Sequence, residues 1–138
     1  MTVLVVGYDG TDGAVAALDE ALVLAGELDA TVHLVFAFAA PRLGGELRDL
    51  DEAIAERGHT VLERGKHHAA AKGAEVTTGF LKADPAEGLI AAAQEQDARY
   101  IVVGSYGERP LKSALVGSTP TRLLHLSDRP VLVVRAPD

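Results

Sequence analysis

Glycine and hydroxyl residues near the carboxyl end of the chain are spaced as in a loop that holds negatively charged oxygens. An apolar run at 100–103 stops at Gly104, and about a dozen residues later Gly117, Ser118 and Thr119 lead into leucines at helical spacing. Glycines let the main chain approach a ligand closely, and a helix N-terminus presents unpaired N–H groups and the positive end of the helix dipole. The stretch therefore predicts a strand, a glycine loop and a helix start that bind phosphate.

The length of this loop favours a function over a simple turn. Connections between strands and helices in α/β units usually run about 2–6 residues, and this one is about twice as long. The alternative is that Gly104 and Gly107 only turn the chain, while Thr119 caps the helix and Pro120 takes its first position. Capping alone leaves the loop length unexplained.

An acidic residue, Asp9, follows the first strand. The apolar run at 3–6 ends at Gly7, and the turn-rich sequence YDGTDG comes next. Open α/β sheets bind their ligands at the carboxyl ends of the strands, so the position of Asp9 suits recognition of a ribose hydroxyl. The alternative is a carboxylate that only stabilises the turn or caps the helix.

Apolar runs and helical spacings alternate along the whole chain, in the order β-α-β-α-β-α-β-α-β. Strands are expected at 3–6, 31–38, 75–81, 100–103 and 130–135, and helices in the four intervals between them. The third strand is less apolar and contains Gly79, which favours an edge position. The alternation predicts one α/β domain over residues 1–138, with a doubly wound, Rossmann-like sheet of five parallel strands.

The glycine spacing resembles that of the universal stress proteins, whose nucleotide-binding members carry G-x2-G-x9-G-(S/T) after the fourth strand. This chain has Gly104, Gly107, Gly117 and Ser118 at those positions. The opening VLVVGYDGTDGAVAALDEAL and the closing RPVLVVR are also similar to the first and last segments of that family, so the resemblance covers essentially all 138 residues. It implies the strand order 3-2-1-4-5.

The resemblance also implies an ATP site, with any Mg²⁺ carried by the nucleotide. Backbone and hydroxyl groups would surround the ribose and phosphates, Asp9 would accept from the ribose hydroxyls, and three further positions would line the adenine. The implied phosphate and ribose residues are Gly104, Tyr106, Gly107, Gly117, Ser118 and Thr119, and the adenine residues are Gly7, Ala37 and Val103. Tyr106 stands where members often carry a basic or imidazole side chain, and Pro120 where many carry Ser or Thr.

Composition restricts the classes of function. The absence of cysteine excludes disulfides, thiolate metal sites and cysteine nucleophiles. A net charge of −7 repels nucleic acids and anionic membranes, and no apolar stretch reaches membrane-spanning length, so the cytoplasm is the expected location. Arg109, Lys112 and Arg122 form a local excess of positive charge that would suit a triphosphate. The five histidines show no metal-ligand spacing, and no metal site is expected.

The last strand predicts a homodimer. In the implied strand order it lies at an edge, and an apolar edge strand invites further pairing. Universal stress proteins commonly dimerise through this strand, so the expected interface is Val131, Leu132, Val133 and Val134.

The leading hypothesis is thus a dimeric stress-response regulator that binds ATP and acts on a protein partner. One alternative is an interaction module of the same family that has lost nucleotide binding. The other is a very slow ATPase, since Glu108 is the only carboxylate in the loop and efficient hydrolysis needs a positioned base and metal ligands.

Overall fold

Five strands and four helices form one α/β unit in the residues that the computed structural model describes, which are 1–39, 47–105 and 117–136, with side chains in the second range described from residue 50. The strands are β1 (Thr2–Gly7), β2 (Ala30–Ala37), β3 (Val76–Leu81), β4 (Tyr100–Gly104) and β5 (Val131–Val134). The helices are α1 (Asp12–Leu28), α2 (Leu47–Ala71), α3 (Pro85–Glu95) and α4 (Ser118–Leu126).

All neighbouring strands pair in parallel, in the order β3-β2-β1-β4-β5. This confirms the predicted doubly wound sheet and its strand order, including the edge position of β3. The order reverses direction between β1 and β4, so the ends of these two strands border a crevice, which is where open α/β sheets bind ligands.

Alternate residues of each strand enter different halves of the core, because side chains along a strand point to opposite faces. Leu4 and Val6 pack with α1 and α2, whereas Val5 packs with α3 and α4. The central strands are therefore apolar on both faces, which explains the unbroken hydrophobic runs seen in the sequence.

Two glycines allow α2 to lie very close to the sheet. A Cβ atom at Gly58 would lie 2.5 Å from the ring of Phe80, and one at Gly65 would lie 2.7 Å from Leu34 and 2.9 Å from Tyr8. Normal carbon–carbon contacts are about 3.5–4.0 Å. The helix α2 continues through both positions. These glycines therefore permit close packing and do not interrupt the helix.

Arg129 links the turn before β5 to the end of α3 by hydrogen bonds. One guanidinium nitrogen, Nη1, donates to the carbonyl oxygens of Ala93 and Ala98, each at 2.8 Å. Only 16% of the side chain is exposed, and Asp128 accepts from Nε at 3.0 Å. The contact fixes the α3–β4 turn against the α4–β5 turn.

Some element ends differ from the sequence predictions. β2 ends at Ala37 instead of Phe38, β3 begins at Val76, and α4 begins at Ser118 with Gly117 as its N-cap. The alternative that Thr119 caps this helix, with Pro120 first, is therefore wrong, since both residues lie inside its first turn. Among the described helices, none combines the length and hydrophobicity needed to cross a bilayer.

Candidate functional site

A cleft of about 340 Å³ opens at the carboxyl ends of β1, β2 and β4. This volume lies at the lower end of the range of about 300–1,000 Å³ for small-molecule sites. Eight of the predicted site residues line it: Gly7, Asp9, Ala37, Val103, Gly104, Gly117, Ser118 and Thr119. The other two, Tyr106 and Gly107, lie outside the described residues. The fold thus brings together residues that are more than 100 positions apart in the chain.

Asp9 is held by its neighbour Thr11. The Oδ1 atom of Asp9 accepts hydrogen bonds from the backbone N–H of Thr11 at 3.1 Å and from its hydroxyl at 2.6 Å. Thr11 is also the N-cap of α1, because its Oγ1 accepts from the N–H of Ala14 at 3.3 Å. Gly10 between them has φ +81°, a left-handed conformation that favours glycine. Asp9 therefore stabilises the turn, while Thr11 provides the helix cap.

The first turn of α4 presents backbone donors to the cleft. Gly117, the N-cap, has φ −62° and ψ 170°, and no side chain among the described residues makes a cap hydrogen bond to this helix start. Its N–H donates to the carbonyl of Ser105 at 2.6 Å, which ties the helix start to the end of β4. The N–H groups of Ser118 and Thr119 belong to the donors that a helix leaves without an intrahelical acceptor. Anions bind readily at such a terminus.

The opposite part of the cleft is apolar. Val35, Ala37, Leu89 and Val103 contribute to its walls. Gly7 lies so close to them that an added Cβ would be 3.0 Å from Leu89 and 3.1 Å from Val103. The cleft therefore combines an apolar surface with a polar end that carries Asp9 and the start of α4.

Several lining residues were not predicted from the sequence, among them Phe38 after β2, and Ile54 and Arg57 from α2. The spacing of apolar residues in α2 favours Ile54 as a core residue, but no local pattern indicates that this end of the helix reaches the cleft. Arg57 supplies positive charge at the cleft wall.

Ion pairs engage Arg122, one of the three residues of the predicted excess of positive charge. Its guanidinium contacts the carboxylate of Asp84, and Nη2 lies 3.7 Å from Oε1 of Glu87. Arg122 is thus engaged with the first turn of α3, while Arg109 and Lys112 lie outside the described residues.

Tyr8 lines the cleft beside Asp9. Burial raises the pKa of the Tyr8 hydroxyl, and the negative charge of Asp9 adds to this effect.

Two histidines have specific partners in the fold. His33 Nδ1 lies 2.6 Å from the hydroxyl of Thr77, and burial lowers the pKa of His33. His68 Nε2 lies 2.6 Å from Oδ1 of Asp19, which also accepts from Lys72 at 2.6 Å. Partial burial raises the pKa of Asp19, but hydrogen bonds from Lys72 and His68 outweigh it and leave this pKa below its usual value.

Metal coordination finds no support in these histidines. In the part of the chain that the structure describes, no three His, Asp or Glu side chains come close enough to hold an ion.

Sequence relatives share the full length of the chain. Residues 1–135 match the model of the universal stress protein family. Universal stress protein MJ0531 of Methanocaldococcus jannaschii is 30% identical, over 97% of this chain and 82% of its own length. Universal stress protein YxiE of Bacillus subtilis is also 30% identical, over 96% of this chain and 97% of its own.

Solved structures show the same fold. The structure of the Methanocaldococcus jannaschii protein MJ0577 has a TM-score of 0.86 at 21% identity, covering 99% of this chain and 97% of its own. A universal stress protein in complex with cAMP has a TM-score of 0.76 at 25% identity, covering 99% and 98%. One from Archaeoglobus fulgidus in complex with dAMP has a TM-score of 0.70 at 23% identity, covering 97% of both chains. The family model and the full-length relatives establish that this chain belongs to the universal stress protein family.

Proposed function

We propose that this protein binds an adenine nucleotide, with ATP as the leading candidate, in the cleft at the ends of β1, β2 and β4. The observation that carries the proposal is the arrangement of that cleft. An apolar wall, a carboxylate at Asp9 and the uncapped first turn of α4 meet in one cavity. The apolar wall suits a purine, the carboxylate suits a sugar hydroxyl, and the helix start suits a phosphate.

Two structural neighbours support an adenine ligand. They are universal stress proteins in complex with cAMP and with dAMP. Both ligands contain adenine, a sugar and one phosphate, so monophosphates are direct competitors of ATP in any test.

Binding rather than turnover is the proposed activity. Of the described residues that line the cleft, Asp9 is the carboxylate, and its Oδ1 is already hydrogen-bonded to Thr11. Hydrolysis of ATP would need a base near the phosphates and ligands for Mg²⁺. We therefore expect Mg²⁺ to be held by phosphate oxygens and water, and phosphate release to be very slow.

Calorimetry with Mg-ATP, AMP and cAMP tests the proposal, using wild type and Gly117→Val. Because Gly117 has an extended backbone conformation, valine fits its φ and ψ angles but adds bulk at a cleft-lining position. We expect wild type to bind and Gly117→Val to lose binding. Gly26→Val is the matched control, since nothing lies within 4 Å of a Cβ atom at that exposed position.

The alternative is an interaction module without a nucleotide. Pro120, in the first turn of α4, provides no N–H group and so removes one donor from the proposed phosphate end. No heat and no thermal stabilisation with millimolar ATP, AMP or cAMP would favour this alternative.

We further propose that two copies pair through β5. In the part of the chain that the structure describes, this strand pairs with β4 alone, and its four residues Val131, Leu132, Val133 and Val134 are half-buried. Val133→Asp should convert a dimer to a monomer in sedimentation, while Val23→Asp, at a position 58% exposed on α1, should leave the mass unchanged. An unchanged dimer in Val133→Asp would contradict this interface.

A further inference from the structure

We propose that Thr11 is a positioning residue that orients Asp9, so that one carboxylate oxygen is reserved for a sugar hydroxyl of the ligand. This inference rests on the proposed nucleotide site. Both hydrogen bonds from Thr11 go to Oδ1 of Asp9, at 2.6 Å and 3.1 Å. Among the described residues, no group donates to Oδ2, and Asp9 lines the cleft.

The hydroxyl of Thr11 is suited to fix this geometry because both of its hydrogen-bonding roles are used. It donates its single proton to Asp9 and accepts from the N–H of Ala14 in the first turn of α1. A bond of 2.6 Å from a hydroxyl to a carboxylate is in the charge-assisted range. The branched side chain of threonine also restricts rotation about χ1. Asp9 is thereby coupled to a helix terminus instead of moving freely in solvent.

A carboxylate held in this way accepts hydrogen bonds and donates none, so it selects a ligand that offers a hydroxyl. One available oxygen needs only one such donor. The ligands of the two nucleotide-bound neighbours each keep one sugar hydroxyl, at the 2′ position in cAMP and at the 3′ position in dAMP. Asp9 should therefore discriminate most strongly against a sugar that lacks both hydroxyls.

The test compares ATP with 2′,3′-dideoxy-ATP by calorimetry on wild type, Thr11→Val and Thr11→Ser. Thr11→Val keeps the backbone hydrogen bond to Asp9 but loses the hydroxyl that donates to Asp9 and caps α1, so we expect about a 3- to 10-fold weaker affinity for ATP. Thr11→Ser keeps the hydroxyl and should bind ATP as wild type does. Affinity for the dideoxy nucleotide should be the same in all three proteins within about twofold.

Two further variants separate positioning from helix stability. Thr11→Asp preserves an N-cap acceptor but offers Asp9 no side-chain donor, so it should also lower the ratio of ATP to dideoxy-ATP affinity and keeps the test valid if the valine variant does not fold. In an Asp9→Ala background, Thr11→Val should cause no additional loss of ATP affinity. Thr60→Val is the matched control, since that hydroxyl bonds only to the helix carbonyl of Glu56 on an exposed surface.

Each outcome is decisive. Equal losses for ATP and dideoxy-ATP in Thr11→Val would show that Thr11 acts on the ligand or on α1 as a whole, and would overturn the inference. Wild-type affinity for ATP in Thr11→Val would overturn it as well, while leaving the proposed nucleotide site in place. Failure of the wild-type protein to bind ATP, AMP or cAMP would overturn the proposed function and this inference together.

Discussion

Replacement of Gly104 by alanine should destabilise the protein before any ligand is added. A Cβ atom at this position would lie 2.6 Å from both the carbonyl carbon and the oxygen of Gly13, and 3.0 Å from its Cα. These atoms are backbone in the first turn of α1, so no side-chain rotation can relieve the contact. A normal separation of about 3.5 Å requires a displacement of about 1 Å between α1 and β4.

The expected cost follows from this displacement. Overpacking in a well-packed core typically costs 1–3 kcal/mol, and a collision with backbone belongs at the upper end, about 3 kcal/mol. Replacing glycine by alanine restricts the unfolded chain and returns about 0.5–1 kcal/mol. We therefore expect a net loss of about 2 kcal/mol, which for a chain of this size lowers Tm by roughly 6 °C.

Urea and thermal unfolding of the ligand-free protein measure this loss, and Gly26→Ala is the matched control. Nothing lies within 4 Å of a Cβ atom at Gly26, which is exposed in the last turn of α1, so alanine there should stabilise by about 0.5–1 kcal/mol. Replacement of glycine by alanine is thus expected to lower the free energy of unfolding at position 104 and to raise it at position 26. If Gly104→Ala unfolded at the wild-type urea concentration, the close contact between α1 and β4 would be refuted, and Gly104 would be left with a role toward the ligand alone.

Three other substitutions test individual contacts. Arg129→Ala should lower the free energy of unfolding in urea by about 2 kcal/mol, because the carbonyls of Ala93 and Ala98 lose a charged donor; a loss under about 0.5 kcal/mol would contradict this. Asp19→Asn should cost at most about 1 kcal/mol at neutral pH, since the ion pairs are partly exposed. The pKa of Asp19 is lowered in the folded state, so this stabilisation is complete above the unfolded carboxyl pKa of about 4 and is lost as the pH falls through the lower folded value. A difference from wild type that stayed constant in urea titrations down to pH 3 would be inconsistent with that ion pair. Arg122→Ala should change ATP affinity by less than about twofold, because the side chain is engaged by acids of α3, and a tenfold loss in calorimetry would show that it contacts the nucleotide.

Some features of the site could be predicted because they depend on near neighbours in the chain. Asp84 accepts from the N–H of Glu87 and precedes Pro85 at the first position of α3, and an aspartate followed by proline favours such a helix start. The position of Asp9 at the end of β1 also followed from the sequence, because a strand end and the turn after it are local features.

Other features could not be predicted because their partners are distant in sequence. The positive side chain of Arg122 could bind a phosphate, but the fold places it against α3. Thr119 resembles a helix cap, but the helix starts two residues earlier than that interpretation requires, with the N–H of Gly117 bonded to the carbonyl of Ser105. In each case a contact with a residue outside the local stretch decides between two locally acceptable arrangements.

The amino-acid sequence alone was enough to predict the alternation of elements, the apolar character of the central strands and the family. These features depend on residue periodicity and short-range spacing, which are the same whatever the distant partners are. The folded structure was needed to show that α2 contributes Ile54 and Arg57 to the cleft, and that Asp19 contacts His68, which is 49 positions away. Such contacts form when helices pack on a sheet. Their geometry depends on how whole elements pack together, so no single stretch of sequence determines it.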